Sequence, residues 1–241
     1  VYSQPMDIKI AGKGIVNEGT VSTKLGLKGI PALAEELQIV RDLFILEYTG
    51  GKLHIPTIST SNSVKLIADA KKKGLDVSCS VALHNLYFTD EVLKEFDTRY
   101  KVMPPLRTKE DAKSLRKGLT DGIIDLVTTD HIPLNIELKR VEFDNAAYGS
   151  IGLESAFGLL NQIFDLQKTI SLLTTGRERY NIESIGLDKG NKACLTLFDP
   201  DFEYAFKKEN ILSTSKNSMA LGQTLKGRVY GIVNNDQLIL A

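Results

Sequence analysis

The sequence predicts an α/β protein: part of a TIM-type (β/α)8 barrel over residues 1–190, followed by strands of a small β domain over 191–241. Three observations carry that expectation. Apolar strand-like runs alternate with helix-like stretches at the spacing of parallel βαβ units. Those runs are apolar almost throughout, as in strands covered on both faces of a sheet. From Lys192 onward the texture changes to strands alone, with Asn234-Asn235 marking a hairpin turn.

The first thirty residues are rich in Gly and Lys and show no strong period. A helix is predicted over 31–48, where Pro31 suits the first turn and Leu33, Leu37, Val40, Phe44 and Leu46 form an apolar stripe. Gly50 and Gly51 stop it. A short apolar run at 52–58 leads into Ser59-Thr60-Ser61-Asn62, a cluster of potential caps, and a second helix over 63–73 ends at Gly74. Residues 75–82 read as a strand with Val77, Cys79 and Val81 on one face. The unit then repeats, with a short helix over 90–96 and a short strand over 100–103 closed by Pro104-Pro105. Thr108 and Asp111 resemble a capping box opening a helix over 108–119, and 123–128 is an apolar strand. The stretch 130–150 carries few structural signals, and loops of that length are usually functional or mobile. A helix over 153–166 and strands over 193–198, 227–233 and 237–240 complete the chain.

Four barrel strands at most emerge, whereas a complete barrel takes about 250 residues. Half a barrel leaves two sheet edges open, so the other half is expected in the same molecule or a partner must cover the edges. The chain starts mid-pattern at Val1, and an amino-terminal portion is expected before it.

Thirty basic residues balance thirty acidic ones, which gives no electrostatic reason to expect nucleic acid or a membrane surface as partner. The basic run Lys71-Lys72-Lys73 falls at a predicted helix end, where cations complement the dipole. Two distant cysteines, Cys79 and Cys194, argue against a disulfide framework or thiolate metal site and fit a reducing, cytoplasmic setting. No apolar stretch approaches the roughly 20 residues of a membrane span.

Several segments, in order, resemble the dihydroorotases, in particular the bacterial type with a binuclear zinc site. Gly26-Leu27-Lys28-Gly29-Ile30-Pro31, with Glu35, Glu36, Arg41 and Asp42 after it, is similar to that family's entry into a barrel helix. His54-Ile55-Pro56-Thr57-Ile58-Ser59-Thr60 resembles its HxxHxST strand, and Tyr100-Lys101-Val102-Met103-Pro104-Pro105-Leu106-Arg107 its YKxNPPLR. The run from Asp121 to Pro133 resembles DGTIDxIATDHAPH, and Tyr148-Gly149-Ser150-Ile151-Gly152-Leu153-Glu154 the FGIxGxE segment. Ser215-Lys216-Asn217 and Leu225-Lys226-Gly227 fit the family's tail. The resemblance covers nearly the whole chain as the carboxy-terminal half of an amidohydrolase barrel. It implies zinc as cofactor, and reversible hydrolysis of the cyclic amide dihydroorotate to carbamoyl aspartate in pyrimidine biosynthesis. Zinc would lower the pKa of a bound water and polarise the carbonyl.

By this resemblance Asp130 stands where the family has its metal-binding and proton-shuttling aspartate, at the end of an apolar strand. An aspartate capping a strand end is the plainer alternative. The other positions depart from the pattern. Thr57 replaces the second histidine of HxxHxST, and a hydroxyl is a poor zinc ligand beside imidazole. His54 lies three residues earlier and, by strand alternation, on the opposite face, so a packed structural histidine is expected there. Tyr2 to Asp7, where a further ligand should fall, hold no histidine. Met103 replaces the asparagine of NPPLR and Leu134 the last histidine of DHAPH, which removes polar substrate contacts. Arg107 is a candidate anion-binding group or a loop anchor. Tyr148 and Gly149 are candidates for a lid over substrate, and Gly149 equally for a turn. His84-Asn85 matches a family HH pair, though a lone histidine after a strand is more often structural.

Two functions are therefore weighed: a dihydroorotase with an impaired site, and a non-catalytic homologue retained as structural partner of aspartate carbamoyltransferase or in a homo-oligomer. A hydantoinase or allantoinase is a third, and it would still need the histidines.

Overall fold

Helix and strand succeed one another from the start. The computed structural model describes residues 1–182, 186 and 188–240. Contacts divide the chain into two compact units, Val1–Leu153 with Ser213–Met219, and Glu154–Leu212 with Ala220–Ala241.

In the first unit a small entry region holds α1 (Ile8–Ala11), β1 (Val16–Asn17), α2 (Thr20–Leu25) and β2 (Gly29–Ile30), with β1 and β2 paired in parallel. Helix α3 (Leu33–Thr49) follows, then β3 (Leu53–Ile55), α4 (Ser61–Lys72), β4 (Val77–Ala82), α5 (Leu83–Tyr87), α6 (Lys109–Thr120) and β5 (Leu126–Thr128). Strands β3, β4 and β5 form one parallel sheet in that order. Tyr2 extends it through a parallel bridge to His54. Four neighbouring parallel chain segments therefore carry this unit. The core between sheet and helices is aliphatic: Ile39, Ile55, Ile58, Ile67, Leu86, Leu115 and Leu119 are fully buried. Each such side chain stabilises the fold by about 1.5–3 kcal/mol.

Local chemistry explains the helix starts. Thr60 Oγ1 accepts from the Ser63 amide at 3.1 Å and caps α4. Thr108 and Asp111 cap α6 reciprocally, as the sequence predicts. Of the basic run ending α4, Lys71 Nζ bonds both Asp125 carboxylate oxygens, at 2.7 and 2.8 Å, tying the helix end to the start of β5.

Three sequence expectations change. The strand expected at 100–103 is instead a 3-10 turn (Thr98–Tyr100) and irregular backbone, because Pro104-Pro105 removes two ladder donors immediately afterwards. On α3 the inward face is Ala34, Glu35, Gln38, Ile39, Leu43 and Leu46, while Leu33, Leu37, Val40 and Phe44 are exposed. Both faces of this helix are apolar, so periodicity could not choose between them. The single helix over 153–166 is two, α7 (Ala156–Ile163) and α8 (Leu166–Thr174), with the Asp165 carboxylate capping the second.

The second unit contains α7, α8, α9 (Gly176–Arg179) and the antiparallel sheet of β6 (Leu195–Ala205), β7 (Thr224–Asn234) and β8 (Gln237–Leu240). Asn235 and Asp236 join β7 to β8 with φ of 49° and 60°. Two left-handed residues make the two-residue turn that suits strand twist. Helix α7 lies on β7, where a Cβ on Gly158 would come within 2.8 Å of Leu225 Cβ. This unit begins at Glu154, so the helices following the parallel strands cluster with the antiparallel strands.

A buried polar cluster binds the first unit together. Glu35 accepts from the Ser59 amide at 2.7 Å, the Thr60 amide at 3.1 Å, Ser63 Oγ at 2.7 Å and Ser59 Oγ. Its carboxylate lies 3.7 Å from Arg107 Nη2. Replacing Glu35 by Leu strands these donors and the Arg107 charge, and a loss of about 3–5 kcal/mol is expected in urea unfolding. Replacing Lys73, whose pairing with Glu47 is exposed, leaves the midpoint nearly unchanged.

Candidate functional site

The parallel register brings the carboxy-terminal ends of β3, β4 and β5 to one side of the sheet. Three residues just beyond those ends matter most. Thr57 follows β3 with φ of 49°, held by its amide donating to Ser80 Oγ at 3.1 Å. A β-branched residue in the left-handed region is strained. His84 sits in α5 immediately after β4, buried. Asp130 follows β5 with φ of 45°, its amide donating to Thr128 Oγ1 at 3.2 Å.

His84 Nε2 and Asp130 Oδ2 face each other at 3.9 Å. Both atoms are buried and neither has a hydrogen-bond partner among the described residues. Burial lowers the His84 pKa to about 3, so the imidazole is neutral, and burial raises that of Asp130. Asn85 is also buried, its Nδ2 donating to the Pro105 carbonyl at 2.9 Å.

His131 turns another way. Its Nδ1 accepts from the Gly152 and Leu153 amides at 3.2 and 3.3 Å, which leaves the ring proton on Nε2. His54 lies within β3, buried, with Nδ1 2.8 Å from Ser78 Oγ and its ring 5.0 Å from that of Tyr2. Its position is that of a packed sheet histidine. Thr57 lies beyond the last strand residue, so the turn after Ile55, not strand alternation, sets its direction. Cys79 is buried, its thiol pushed up to about 12 by burial and then by the nearby Asp125 charge.

Arg107 is buried: Nε donates to Ser59 Oγ at 3.0 Å, and Nη1 to Asn17 Oδ1 at 2.9 Å and the Ile30 carbonyl at 3.0 Å, while Nη2 makes no hydrogen bond among the described residues. Tyr148 Oη donates to the Gly14 carbonyl at 3.3 Å. Gly149 has φ of 138°, and a Cβ there would meet Ile132 Cγ2 at 2.7 Å. Leu134 also borders it, at 3.3 Å from that Cβ position. Met103 and Leu134 are half-buried.

The loop at 130–150 has a feature the sequence did not single out. Lys101 and Lys139 are both buried. Lys101 Nζ donates to the Phe143 and Asp144 carbonyls at 2.9 and 2.8 Å, and also lies 5.0 Å over the Tyr148 ring. Lys139 Nζ donates to the carbonyls of Thr98, Lys101 and Ala147 at 2.8, 3.1 and 2.7 Å. Burial first, then the Lys101 charge, lowers the Lys139 pKa to about 8. Nothing around Lys139 in the sequence separates it from a solvated lysine; Lys101 at least belonged to a motif.

A zinc ion takes about four nitrogen, oxygen or sulfur ligands at roughly 2.0–2.3 Å. Among the described residues no group of three or more His, Cys, Asp or Glu side chains could hold a metal. The strand ends offer Asp130, His84 and a threonine hydroxyl at Thr57. The described residues do not by themselves fit a zinc site.

Two outcomes are expected. Replacing Lys139 by Met removes three bonds to carbonyls, and hydrogen exchange of amides in 130–150 should quicken by at least about tenfold while the strands stay protected. The His84 ring signals should show no titration between pH 8 and 5. The folded state's lower pKa means that it binds fewer protons there than the unfolded chain, whose histidine titrates near 6.5. This group's contribution to stability is therefore full above pH 6.5 and is lost as pH falls towards 3.

No protein-family model matches the chain. It is 43% identical over 235 residues to a dihydroorotase of Endomicrobium trichonymphae, covering 94% of this chain and 56% of that protein. It is also 43% identical to a dihydroorotase of Carboxydothermus hydrogenoformans, covering 99% and 59%. The chain thus spans less than two thirds of the length of these relatives. Among solved structures it resembles the L-hydantoinase of Arthrobacter aurescens (TM-score 0.81, 23% identity, 88% of this chain and 50% of that one). It also resembles the inactive dihydroorotase-like domain of a CAD-like multifunctional protein from Chaetomium thermophilum (TM-score 0.61, 21% identity, 83% and 55%). Identities of that size speak for the fold alone. The close sequence relatives go further: over nearly its whole length this chain is similar to dihydroorotases, of whose length it spans a little more than half.

Proposed function

We propose that this chain supplies the carboxy-terminal half of a dihydroorotase-type (β/α)8 barrel whose hydrolytic site is impaired. Residues 1–190 make the barrel segment and 191–241 contribute to a small β domain. The observation that carries the proposal is the composition of the strand ends. Thr57 occupies the position where the resemblance calls for imidazole, and no cluster of three potential ligands exists among the described residues. The four parallel segments and the capped helices support a scaffold kept intact while donors changed.

In this proposal Asp130 is the surviving acid–base group, and the Thr57 hydroxyl takes no ligand's role. Tyr148 and Gly149 lie on a loop held by Lys101 and Lys139, so they line a fixed wall. Arg107 holds the fold together from beneath the strand ends.

A second function has a specific observation in its favour. An intact scaffold with altered donors is what a non-catalytic homologue needs to hold a partner such as aspartate carbamoyltransferase, or a further copy of itself. No helix among the described residues is long and apolar enough to cross a membrane.

Elemental analysis and dihydroorotate turnover on the same full-length sample decide between an impaired and a working site. Zinc well below one equivalent, with turnover near background, is expected. Near-stoichiometric zinc with robust, metal-dependent turnover would overturn the proposal. For the second function, co-purification with aspartate carbamoyltransferase is expected, and its absence counts against that partner.

A further inference from the structure

Among the described residues, His84 is the one basic side chain within ion-pair distance of Asp130. The contact is unfinished. At 3.9 Å it is longer than a hydrogen bond of about 2.7–3.2 Å, yet each atom is buried and lacks any other partner among the described residues. Buried polar atoms are almost always paired, so two unpaired ones facing each other call for an explanation. His131 uses its Nδ1 elsewhere, accepting the Gly152 and Leu153 amides.

We propose that His84 positions Asp130: its Nε2–H donates to Asp130 Oδ2, and the two side chains act as one dyad at the ends of β4 and β5. The backbone at both partners is fixed. Asp130 has its amide on Thr128 Oγ1, and the His84 carbonyl accepts from the Phe88 amide at 2.9 Å. Rotation of the Asp130 side chain is the remaining freedom, and closing the gap needs less movement than one bond length. The dyad holds one carboxylate oxygen against the wall and leaves the other for a ligand. His84 is a positioning residue here, since it reaches a ligand only through Asp130. The inference rests on the proposed function only in giving Asp130 a role.

Ring-15N-histidine labelling of the full-length protein tests it, with His84→Gln assigning the signal. A proton on Nε2 is expected, with a one-bond N–H coupling, and the signal should move in Asp130→Asn while those of His54 and His131 stay in place. A proton on Nδ1 would overturn the dyad, and so would an Nε2 bound to metal. An Nε2 signal indifferent to Asp130→Asn would overturn it as well. Should that variant not fold, the wild-type tautomer and Asp130→Glu, which keeps the acceptor and should keep the Nε2 proton, still decide. Turnover and metal content do not enter the readout, so an inactive protein leaves the test intact.

Discussion

The buried contact between Arg107 and Glu35 is the constraint on which the first unit depends. Arg107 reaches β1 through Asn17, the end of β2 through the Ile30 carbonyl and the entry to α4 through Ser59. Glu35, on α3, gathers the donors at the start of α4. Asn17 passes the chain of bonds on to Asp90 at 3.0 Å, and the Asp90 amide returns to the Arg107 carbonyl at 2.9 Å. Segments ninety residues apart in sequence are held in one register by this cluster. An ion pair removed from water is costly unless its other bonds are made. Here Glu35 and the Nε and Nη1 of Arg107 make such bonds, while the buried Nη2 has only its 3.7 Å contact with the Glu35 carboxylate.

That arrangement separates support from chemistry. The cluster draws on Asn17, Glu35, Ser59, Asp90 and Arg107, and none of these is the strand-end group at 57, 84 or 130. Donors at the strand ends can therefore change without loosening the sheet. Thr57 shows the consequence. It keeps the left-handed backbone of its position, held by Ser80, although its side chain is a hydroxyl. Strain of that kind persists only where the surroundings impose it.

Much of this architecture was legible in the sequence. The parallel alternation, the Thr108–Asp111 box and the Asn234-Asn235 turn region were visible because each depends on near neighbours and has a strict local chemistry. The inward face of α3 was not, because Leu37 and Val40 look as buried in sequence as Ile39 and Leu43 do, and only the packing decides. The supposed strand at 100–103 failed for a related reason: its apolar residue Val102 does pack inward, but on irregular backbone before two prolines. At the site, Asp130 and Thr57 could be named from motifs. The pairing of His84 with Asp130, the buried lysines and the cluster around Arg107 are products of contacts between segments up to 90 residues apart. No local pattern announces those.

The lysines bear on what kind of site this is. Loops over active sites commonly gain by moving, since closure excludes water and completes the catalytic groups. Here Lys101 and Lys139 place two ammonium groups on five backbone carbonyls and fix the loop at 130–150 from within. A buried ammonium is stable only when its donors are satisfied, so opening this loop would expose carbonyls and strand charge at once. Fixed walls suit a site that works by preorganisation or a surface that must keep its shape for a partner, and they do not suit an induced-fit lid. With the loop held from within, the wall it forms keeps one shape.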